Sequence, residues 1–325
     1  MTIRNLIVDT DYNTDVGDVG AVSVALSAHR IGWVNLLGFI VNTSYSKVPG
    51  AVNAHATWWG LSSGLVYGCW KGFSHEATAP SNNVPGYLYD NFPHALGLAN
   101  TVTDSTVAYR TMLASARDGS VDICSIGFMM CLSALLDSPA DSISSLTGAQ
   151  LVAAKVGTLY VMGGVYPSGS EYNFMGASYS IANVCATTAN VCSNWPTPIR
   201  YIGFELGTFT AGGTFGRPTT DFVSAAYTTS TSTSGNTAWD EQCILAAIQN
   251  CSDFSLTYGS NAVNSSTGAN VFSASASGKD AFLRRTVPDA QMQAKLNKLI
   301  SVTVTSNPIL SSWDGAPGLL QVRAS

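Results

Sequence analysis

Residues 6–18 read Leu6-Ile7-Val8-Asp9-Thr10-Asp11-Tyr12-Asn13-Thr14-Asp15-Val16-Gly17-Asp18, and a mostly apolar run follows at residues 20–26. The first three residues form a short apolar run typical of a buried strand, and residues 20–26 have the pattern of a helix. Between the two patterns stand four carboxylates within ten residues. The stretch therefore predicts a strand, then a loop with concentrated negative charge, then a helix.

Strand and helix patterns continue to alternate after this unit. We predict strands at residues 35–41, 121–126, 158–162 and 199–204, and helices at residues 106–116, 129–136 and 243–248. Such alternation indicates an α/β, Rossmann-like fold with a mostly parallel central sheet and helices on both faces. We expect residues 1–325 to form one domain.

Three later segments complete the prediction of secondary structure. Residues 228–236 are almost wholly Thr, Ser and Gly, which predicts a mobile loop because such a segment is too polar to bury. Residues 271–274 and 301–305 are predicted to form additional strands.

The composition excludes two classes of partner. The net charge is −5, with only 15 Lys and Arg residues and no basic run, which argues against binding to nucleic acid. No stretch approaches the about 18 unbroken apolar residues of a membrane span, and the chain enters its first strand pattern without a cleavable leader. We expect a soluble protein that does not bind membranes.

The cysteines and sequons leave the compartment open between secreted and cytoplasmic. The seven cysteines contain no CxxC pair, so no zinc-site spacing is present. Cys185 with Cys192 and Cys243 with Cys251 are close enough in sequence to be bridged, but buried thiols are the favoured interpretation. Sequons at Asn250 and Asn264 favour a secreted origin slightly.

Polar and glycine residues follow several of the predicted strands. Asp9 and Asp11 follow the first strand, Asn42 the second and Gly127 the strand at 121–126, while Gly163-Gly164 and Glu205 follow later ones. Ligands of parallel α/β sheets bind outside the carboxyl ends of the strands. We therefore expect the chemistry of this protein at these positions.

The carboxylates of residues 9–18 indicate a cation site. Unpaired, they would repel one another and raise one another's pKa values. Ca²⁺ relieves such repulsion because it takes six to eight oxygen ligands. The alternative interpretation is that these residues only form turns and cap the helix, since Asp and Asn favour both places.

Two other families use a similar aspartate string. An EF-hand loop needs Gly at its sixth position and Glu at its twelfth, where this chain has Thr14 and Gly20. Haloacid-dehalogenase-type phosphatases begin with Asp-x-Asp-x-Thr, but Thr14 lies one residue too late for that motif. The phosphatase reading, built on Asp9 and Asp11, is the weaker enzyme hypothesis.

The segment 8–18 more closely resembles the opening motif of the inosine-uridine nucleoside hydrolase family. Four further segments resemble that family in the same order along the chain. They are residues 122–136 around Ser125-Ile126-Gly127-Phe128-Met129-Met130, residues 159–164 followed by Glu171-Tyr172-Asn173, residues 195–205, and Trp239-Asp240. The resemblance spans residues 9–248 and implies the nucleoside hydrolase fold, with fungal and plant-like members most similar.

The resemblance implies a calcium-dependent hydrolysis of ribonucleosides to free base and ribose. It implies that Asp11 is the general base and a metal ligand, with Asp18, Asp240 and the Met130 carbonyl completing the protein's share of the coordination. It also implies that Asn42, Glu171 and Asn173 bind ribose hydroxyls. The expected partner is a small nucleoside, and the family implies a homodimer or homotetramer.

One departure from the family concerns Gly17. Many members have two adjacent Asp where this chain has Gly17-Asp18, so a carboxylate expected near the ribose 2′-hydroxyl is missing. Asp15 is the candidate to replace it, either at the metal or at the ribose. An alternative alignment without an insertion matches Asp15 to that carboxylate and leaves Val16 at a ligand position.

The residue before Asp240 bears on the choice of base. Pyrimidine-accepting relatives have His there, whereas Trp239 resembles the purine-preferring branch, in which an aromatic ring stacks on the base. The alternative for Trp239 is core packing. The second stacking ring stays open among four aromatic residues, which are Trp70, Tyr87, Tyr89 and Phe92.

Two other functional classes stay open beside the purine-leaning hydrolase. One is the aspartate-dependent phosphatase, and the other is a non-catalytic calcium-stabilised binding protein, which the Gly17 departure keeps in consideration.

Overall fold

The computed structural model describes residues 3–13 and 15–302. Its strands are β1 (Arg4–Thr10), β2 (Val34–Val41), β3 (Val66–Cys69), β4 (Val121–Ser125), β5 (Val156–Met162), β6 (Ser168–Gly169), β7 (Ile199–Ile202), β8 (Thr210–Ala211), β9 (Asn236–Thr237), β10 (Phe254–Val263), β11 (Asn270–Ala274) and β12 (Asp280–Arg285). Its helices are α1 (Gly17–Arg30), α2 (Val48–Trp58), α3 (Val84–Asn91), α4 (Ser105–Ser115), α5 (Met130–Asp137), α6 (Gly148–Lys155), α7 (Tyr172–Met175), α8 (Ile181–Asn194), α9 (Phe222–Thr229), α10 (Asp240–Ile248) and α11 (Asp289–Ile300).

Ten strands of the described chain form one sheet in the order β3-β2-β1-β4-β5-β7-β12-β10-β11-β6. The pairs from β3 to β12 are parallel, and β10, β11 and β6 extend the sheet in antiparallel pairs. The predicted Rossmann-like, mostly parallel sheet is confirmed. Because the chain runs outward from β1 to β3 on one side and from β4 onward on the other, the topological switch point lies between β1 and β4.

Apolar side chains cover both faces of this sheet. Leu6 and Val8 of β1 pack into the core on one face and Ile7 into the core on the other, because successive side chains of a strand alternate. All three are at most 1% exposed, and each fully buried side chain of this size stabilises the fold by about 1.5–3 kcal/mol. Helices α1, α10 and α11 cover the first face and α4, α5 and α8 the second, which confirms helices on both faces.

The segment 228–236 differs from its prediction as a mobile loop. Its first residues belong to α9, and Asn236 belongs to β9, which pairs antiparallel with β8. Asp221 caps α9 by accepting the backbone N–H of Ser224 at 2.9 Å, and the helix buries Phe222. Tertiary contacts therefore order both ends of the segment, and the prediction was wrong there.

Two further predictions have different outcomes. The strand expected at residues 301–305 lies mostly outside the described residues, and Ser301 is the C-cap of α11. All seven cysteines are free and buried, which confirms buried thiols over the two bridges. Within residues 3–13 and 15–302, no helix has the length and apolar character that a bilayer crossing requires.

Candidate metal centre and active site

Asp9 and Asn42 join the strand ends at the switch point. Asp9 is fully buried, and its carboxylate accepts Asn42 Nδ2 at 2.6 Å and the Tyr109 hydroxyl at 2.5 Å. Asn42 Oδ1 in turn accepts the backbone N–H of Phe128 at 3.2 Å. Burial raises the pKa of Asp9 to about 7. These contacts fix the ends of β1, β2 and β4 against one another. They also occupy part of the hydrogen-bonding capacity of the Asn42 amide.

Three carboxylates beside this junction form a group that could hold a cation. One oxygen each from Asp15, Asp18 and Asp240 lies within 4.8 Å of the others. Asp18 and Asp240 are buried, whereas Asp15 is exposed as a residue. The Asp15 carboxylate is held by the backbone N–H of Gly17 at 2.6 Å and by Asn236 Nδ2 at 3.2 Å. The β1–α1 loop and the first residue of α10 thus supply one site.

Asp11 adjoins this group and interacts with its member Asp18. Burial, and then the charges of Asp18 and Glu76, raise the pKa of Asp11 well above its usual range. Burial and Asp15 raise the pKa of Asp18 to about 7, although the Thr10 hydroxyl donates to it. Burial and the neighbouring carboxylates also raise the pKa of Asp240 well above its usual range. Each of these groups therefore resists ionisation while its neighbours are charged.

The donor set suits a hard cation. Two like charges at 4 Å repel by about 4 kcal/mol at an effective dielectric constant near 20. The attraction of both charges to a divalent ion between them would outweigh that repulsion. The donors are all oxygens, which calcium prefers. Met130 begins α5 at the same edge of the sheet, following β4.

Gly17 occupies a position where a side chain would disturb this group. A Cβ built on Gly17 would lie 2.9 Å from Asp15 Oδ1 and 3.0 Å from Asp240 Oδ2. Asp15 therefore fills the space that a carboxylate at position 17 would need. Asp18 lies in the first turn of α1, and Val16 is buried in the core. This arrangement favours the alignment that retains Asp18 as a ligand.

Glu171 and Asn173 lie beyond the end of β5. Glu171 caps α7, and its carboxylate accepts the backbone N–H of Asn173 at 2.8 Å and of Gly164 at 3.0 Å. Burial raises the pKa of Glu171 to about 7. Asn173 Nδ2 donates to the carbonyl of Met162 at 3.2 Å. Both residues are buried.

The Trp239 indole lies on the turn that follows β7. Its ring stacks on Phe204 with centroids 4.9 Å apart, and its Nε1 donates to the Phe204 carbonyl at 2.8 Å. A Cβ on Gly207 would lie 2.0 Å from the Trp239 Nε1, so only glycine leaves room for the indole there. Phe204 is 51% exposed, which makes it the open side of a two-ring platform next to Asp240.

The four aromatic residues considered as a second stacking ring have other contacts. Trp70 packs edge-on against Phe73 and donates its Nε1 to the Phe73 carbonyl. Tyr87 and Tyr89 lie on α3, and Phe92 packs against Phe222 in the core. Phe204 is the ring that contacts Trp239, and the sequence did not single it out as a stacking residue.

A loop after β3 supplies two residues that the sequence analysis missed. Glu76 accepts the Tyr172 hydroxyl at 2.8 Å and Asn13 Nδ2 at 3.2 Å, so it joins the aspartate loop to α7. His75 packs edge-on against Phe128 and contacts Ser180 Oγ through Nδ1. The signal was a His-Glu pair after a strand at the same edge, but β3 itself was not predicted.

The chain matches no protein-family model and no curated protein sequence. Solved structures do match its fold. A plant nucleoside hydrolase aligns at TM-score 0.69 with 15% identity, covering 93% of this chain and 100% of its own. A purine-preferring ribonucleoside hydrolase from Gardnerella vaginalis aligns at TM-score 0.65 with 14% identity, over 91% of this chain and 98% of its own.

A third match is the type III effector protein XopQ in complex with adenosine diphosphate ribose. It aligns at TM-score 0.64 with 14% identity, over 92% of this chain and 93% of its own. The predicted fold is thereby confirmed, because the chain has the α/β fold of nucleoside hydrolases.

Proposed function

We propose that this chain hydrolyses the N-glycosidic bond of ribonucleosides, releasing free base and ribose. The supporting observation is the convergence of Asp11, Asp15, Asp18 and Asp240 at the switch point of a sheet that solved nucleoside hydrolases share. Ligands of α/β sheets bind at this point. The substrate is therefore a small molecule that enters at the carboxyl edge of the strands.

Calcium is the cation that we propose for the carboxylate group. Asp11, Asp18 and Asp240 would hold it together with the Met130 carbonyl, and Asp15 would be a further ligand or would bind the ribose. When bound, calcium would lower the pKa of a coordinated water and compensate part of the negative charge. The raised pKa values mean that ionising these buried carboxyls costs free energy, and a bound calcium ion would offset that cost.

Asp11 is the proposed general base. The water oxygen forms a bond to C1′ of the ribose while the bond between C1′ and the base nitrogen breaks. The electron pair of the broken bond leaves with the base, which takes up a proton from solvent. Asp11 takes the proton of the water as the attack proceeds. Its interaction with Asp18 would keep it near the ion, and with only 5% exposure it lies away from bulk solvent.

Glu171, Asn173 and Asn42 are the proposed ribose-binding residues. The Glu171 carboxylate accepts the backbone N–H groups of Gly164 and Asn173 and would also accept a ribose hydroxyl. Asn42 has one amide N–H left beyond its bond to Asp9 and one lone pair of Oδ1 left beyond its bond to Phe128 N, so it would donate to or accept from a ribose hydroxyl. These roles fit ribose better than deoxyribose.

Trp239 supports a preference for purine nucleosides. An indole carbon face cannot donate a proton to the leaving base, but it can stack on a flat ring, and such contacts are worth about 0.5–1.5 kcal/mol. Phe204 stacks on the indole and extends the aromatic surface. A larger base gains more from this platform than a pyrimidine does.

The phosphatase hypothesis is disfavoured by the surroundings of Asp9. That mechanism needs an accessible aspartate as nucleophile, whereas Asp9 is 0% exposed and both its oxygens accept hydrogen bonds.

Release of reducing sugar from inosine and uridine, with and without a calcium chelator, tests the proposal. Asp11→Ala should lower kcat/KM on inosine by about 100- to 10,000-fold, the range typical of a lost general base. Asp118→Ala is the matched control, because the Asp118 side chain is 80% exposed and pairs with Lys155, away from the proposed site. Cleavage of p-nitrophenyl phosphate without hydrolysis of inosine would replace the proposal with the phosphatase. Calcium binding without ribose release from any nucleoside would leave a non-catalytic binding protein.

A further inference from the structure

The side chains of Tyr12, His55 and Ser23 form a buried chain of hydrogen bonds. The Tyr12 hydroxyl lies 2.9 Å from Nδ1 of His55 on α2, and Nε2 of the same ring lies 3.1 Å from Oγ of Ser23 on α1. Ser23 Oγ donates to the carbonyl of Val19 at 2.8 Å. All three side chains belong to residues that are at most 1% exposed. The hydrogen-bond chain therefore joins the loop after β1 to both α1 and α2.

The direction of each bond follows from the protons that the groups carry. Burial lowers the pKa of His55 to about 3, so its ring is neutral and has one N–H. Because Ser23 Oγ donates its only proton to the carbonyl of Val19, it accepts from His55, and the ring proton is on Nε2. His55 Nδ1 then accepts the Tyr12 hydroxyl. Each proton has one acceptor, which fixes the orientation of all three side chains.

The two ends of the hydrogen-bond chain adjoin Asp11 and Asp18. Tyr12 directly follows Asp11, and Val19 directly follows Asp18. The φ angle of Tyr12 is +46°, in the left-handed region, where a tyrosine stays only when its surroundings hold it. Burial raises the pKa of Asp18, and the backbone N–H of Tyr12 opposes this by favouring the ionised carboxylate. The side-chain bond of Tyr12 thus stabilises a backbone conformation that serves Asp18.

We propose that this hydrogen-bond chain positions Asp11 and Asp18 for calcium. The inference rests on the proposed calcium site, and Tyr12, His55 and Ser23 act through the two aspartates rather than as ligands. Without the chain, part of the free energy of binding would be spent on ordering the loop after β1, because its like charges repel one another. A loop that is ordered beforehand binds the ion more tightly.

Calcium titrations by calorimetry test the inference on the wild type, Tyr12→Phe, His55→Leu and the double variant. Loss of a hydrogen bond around metal ligands typically lowers metal affinity by about 10- to 100-fold. We expect each single variant to bind calcium about 10-fold more weakly. Because both changes break the same bond, the double variant should bind no more weakly than the single ones. His55→Gln, whose amide oxygen can accept the Tyr12 hydroxyl, should retain most of the wild-type affinity.

Tyr166→Phe is the matched control. It removes an equally buried tyrosine hydroxyl, which accepts Asn261 Nδ2 at 3.3 Å outside the loop after β1, and it should leave calcium affinity unchanged.

Unchanged calcium affinity in Tyr12→Phe would overturn the inference, even if the Tm of the calcium-free protein fell, because the hydrogen-bond chain would then serve stability alone. An equal loss of affinity in Tyr166→Phe would also overturn it. A wild type that binds no calcium would overturn the proposed metal site together with this inference. The titrations do not measure ribose release, so failure of the proposed reaction alone would not change their result.

Discussion

Glu76 lies beside Asp11 in a backbone conformation that few residues adopt. Its φ is +47°, in the left-handed region, and its carboxylate joins Asn13 to Tyr172. A non-glycine residue in that region is held there by its surroundings and is a reason to look for function. The effect on the site is electrostatic, because the charge of Glu76 raises the pKa of Asp11.

Glu76→Gln should therefore shift the pH dependence of the reaction. Removing the negative neighbour lowers the pKa of Asp11, so the proposed base stays ionised to lower pH, and the acid limb of the kcat/KM profile on inosine should move to lower pH. Steady-state rates between pH 4 and 9 measure the shift. If the acid limb moved to higher pH instead, the assigned repulsion between Glu76 and Asp11 would be contradicted.

Trp239→Ala should weaken catalysis on purines selectively. Loss of a stacking contact of about 0.5–1.5 kcal/mol lowers kcat/KM on inosine by about 2- to 12-fold, and less on uridine. Competing inosine and uridine in one reaction gives the ratio directly. Phe215→Ala is the control, since Phe215 is an exposed ring that packs on Arg217. An unchanged ratio in Trp239→Ala would assign the indole to packing alone.

The sequence predicted the carboxylates of this site better than their neighbours. Asp11, Asp18 and Asp240 were identified from the concentration of aspartates after the first strand and from the resemblance to nucleoside hydrolases, and the structure brings the last two together with Asp15. Glu76 and Phe204 were missed because their roles depend on contacts with Asn13, Tyr172 and Trp239, which are distant in sequence.

Among the elements, α9 shows how a polar segment is ordered by its neighbours. Asp221 caps the helix at Ser224 and pairs with Arg217 at 3.2 Å. The parallel strands β1, β2, β4, β5 and β7 were predictable from their apolar runs, since burial on both faces of a parallel sheet favours such runs. The ordered structure around residues 228–236 was not predictable from the sequence, because it depends on the Asp221 cap and on the pairing of β8 with β9.

Asp221→Ala should destabilise the protein without changing its chemistry. Loss of an N-cap costs about 1 kcal/mol, with a range of about 0.5–2 kcal/mol, so the urea midpoint should fall while kcat/KM on inosine stays within twofold. Thr147→Ala removes the cap of α6 at Gln150 and serves as a comparison on the other face of the sheet. An unchanged midpoint would show that the helix does not depend on its cap.

At the scale of the whole molecule, the buried acids couple stability to pH. The pKa values of Asp9, Asp18 and Glu171 are about 7 in the fold, above their ordinary values. Between the ordinary carboxyl pKa values and about pH 7, the folded state therefore binds more protons than the unfolded state. The free energy of unfolding falls as pH rises through this range. His55, whose pKa burial lowers to about 3, acts in the opposite direction but is a single group.

Calcium-free protein should accordingly unfold at a lower temperature at pH 8 than at pH 5. Calcium favours the ionised carboxylates, so the difference should shrink when the ion is added. Scanning calorimetry at both pH values, with calcium or with a chelator, gives the four Tm values. A calcium-free protein that is more stable at pH 8 would show that the acids are ionised in the fold without an ion.

The prediction of one domain over residues 1–325 stays a prediction, since residues 303–325 lie outside the described part.

The proposed carboxylate ligands come from the first loop of the sheet and from α10, and Asn236 donates to Asp15 across 221 positions of sequence. A nascent chain leaving the ribosome cannot assemble this site until α10 has emerged and docked against α1. Ion capture would therefore occur late in biosynthesis, and a truncated translation product would lack it. A luminescent lanthanide added during cell-free synthesis could report the moment at which the chain becomes complete enough to bind.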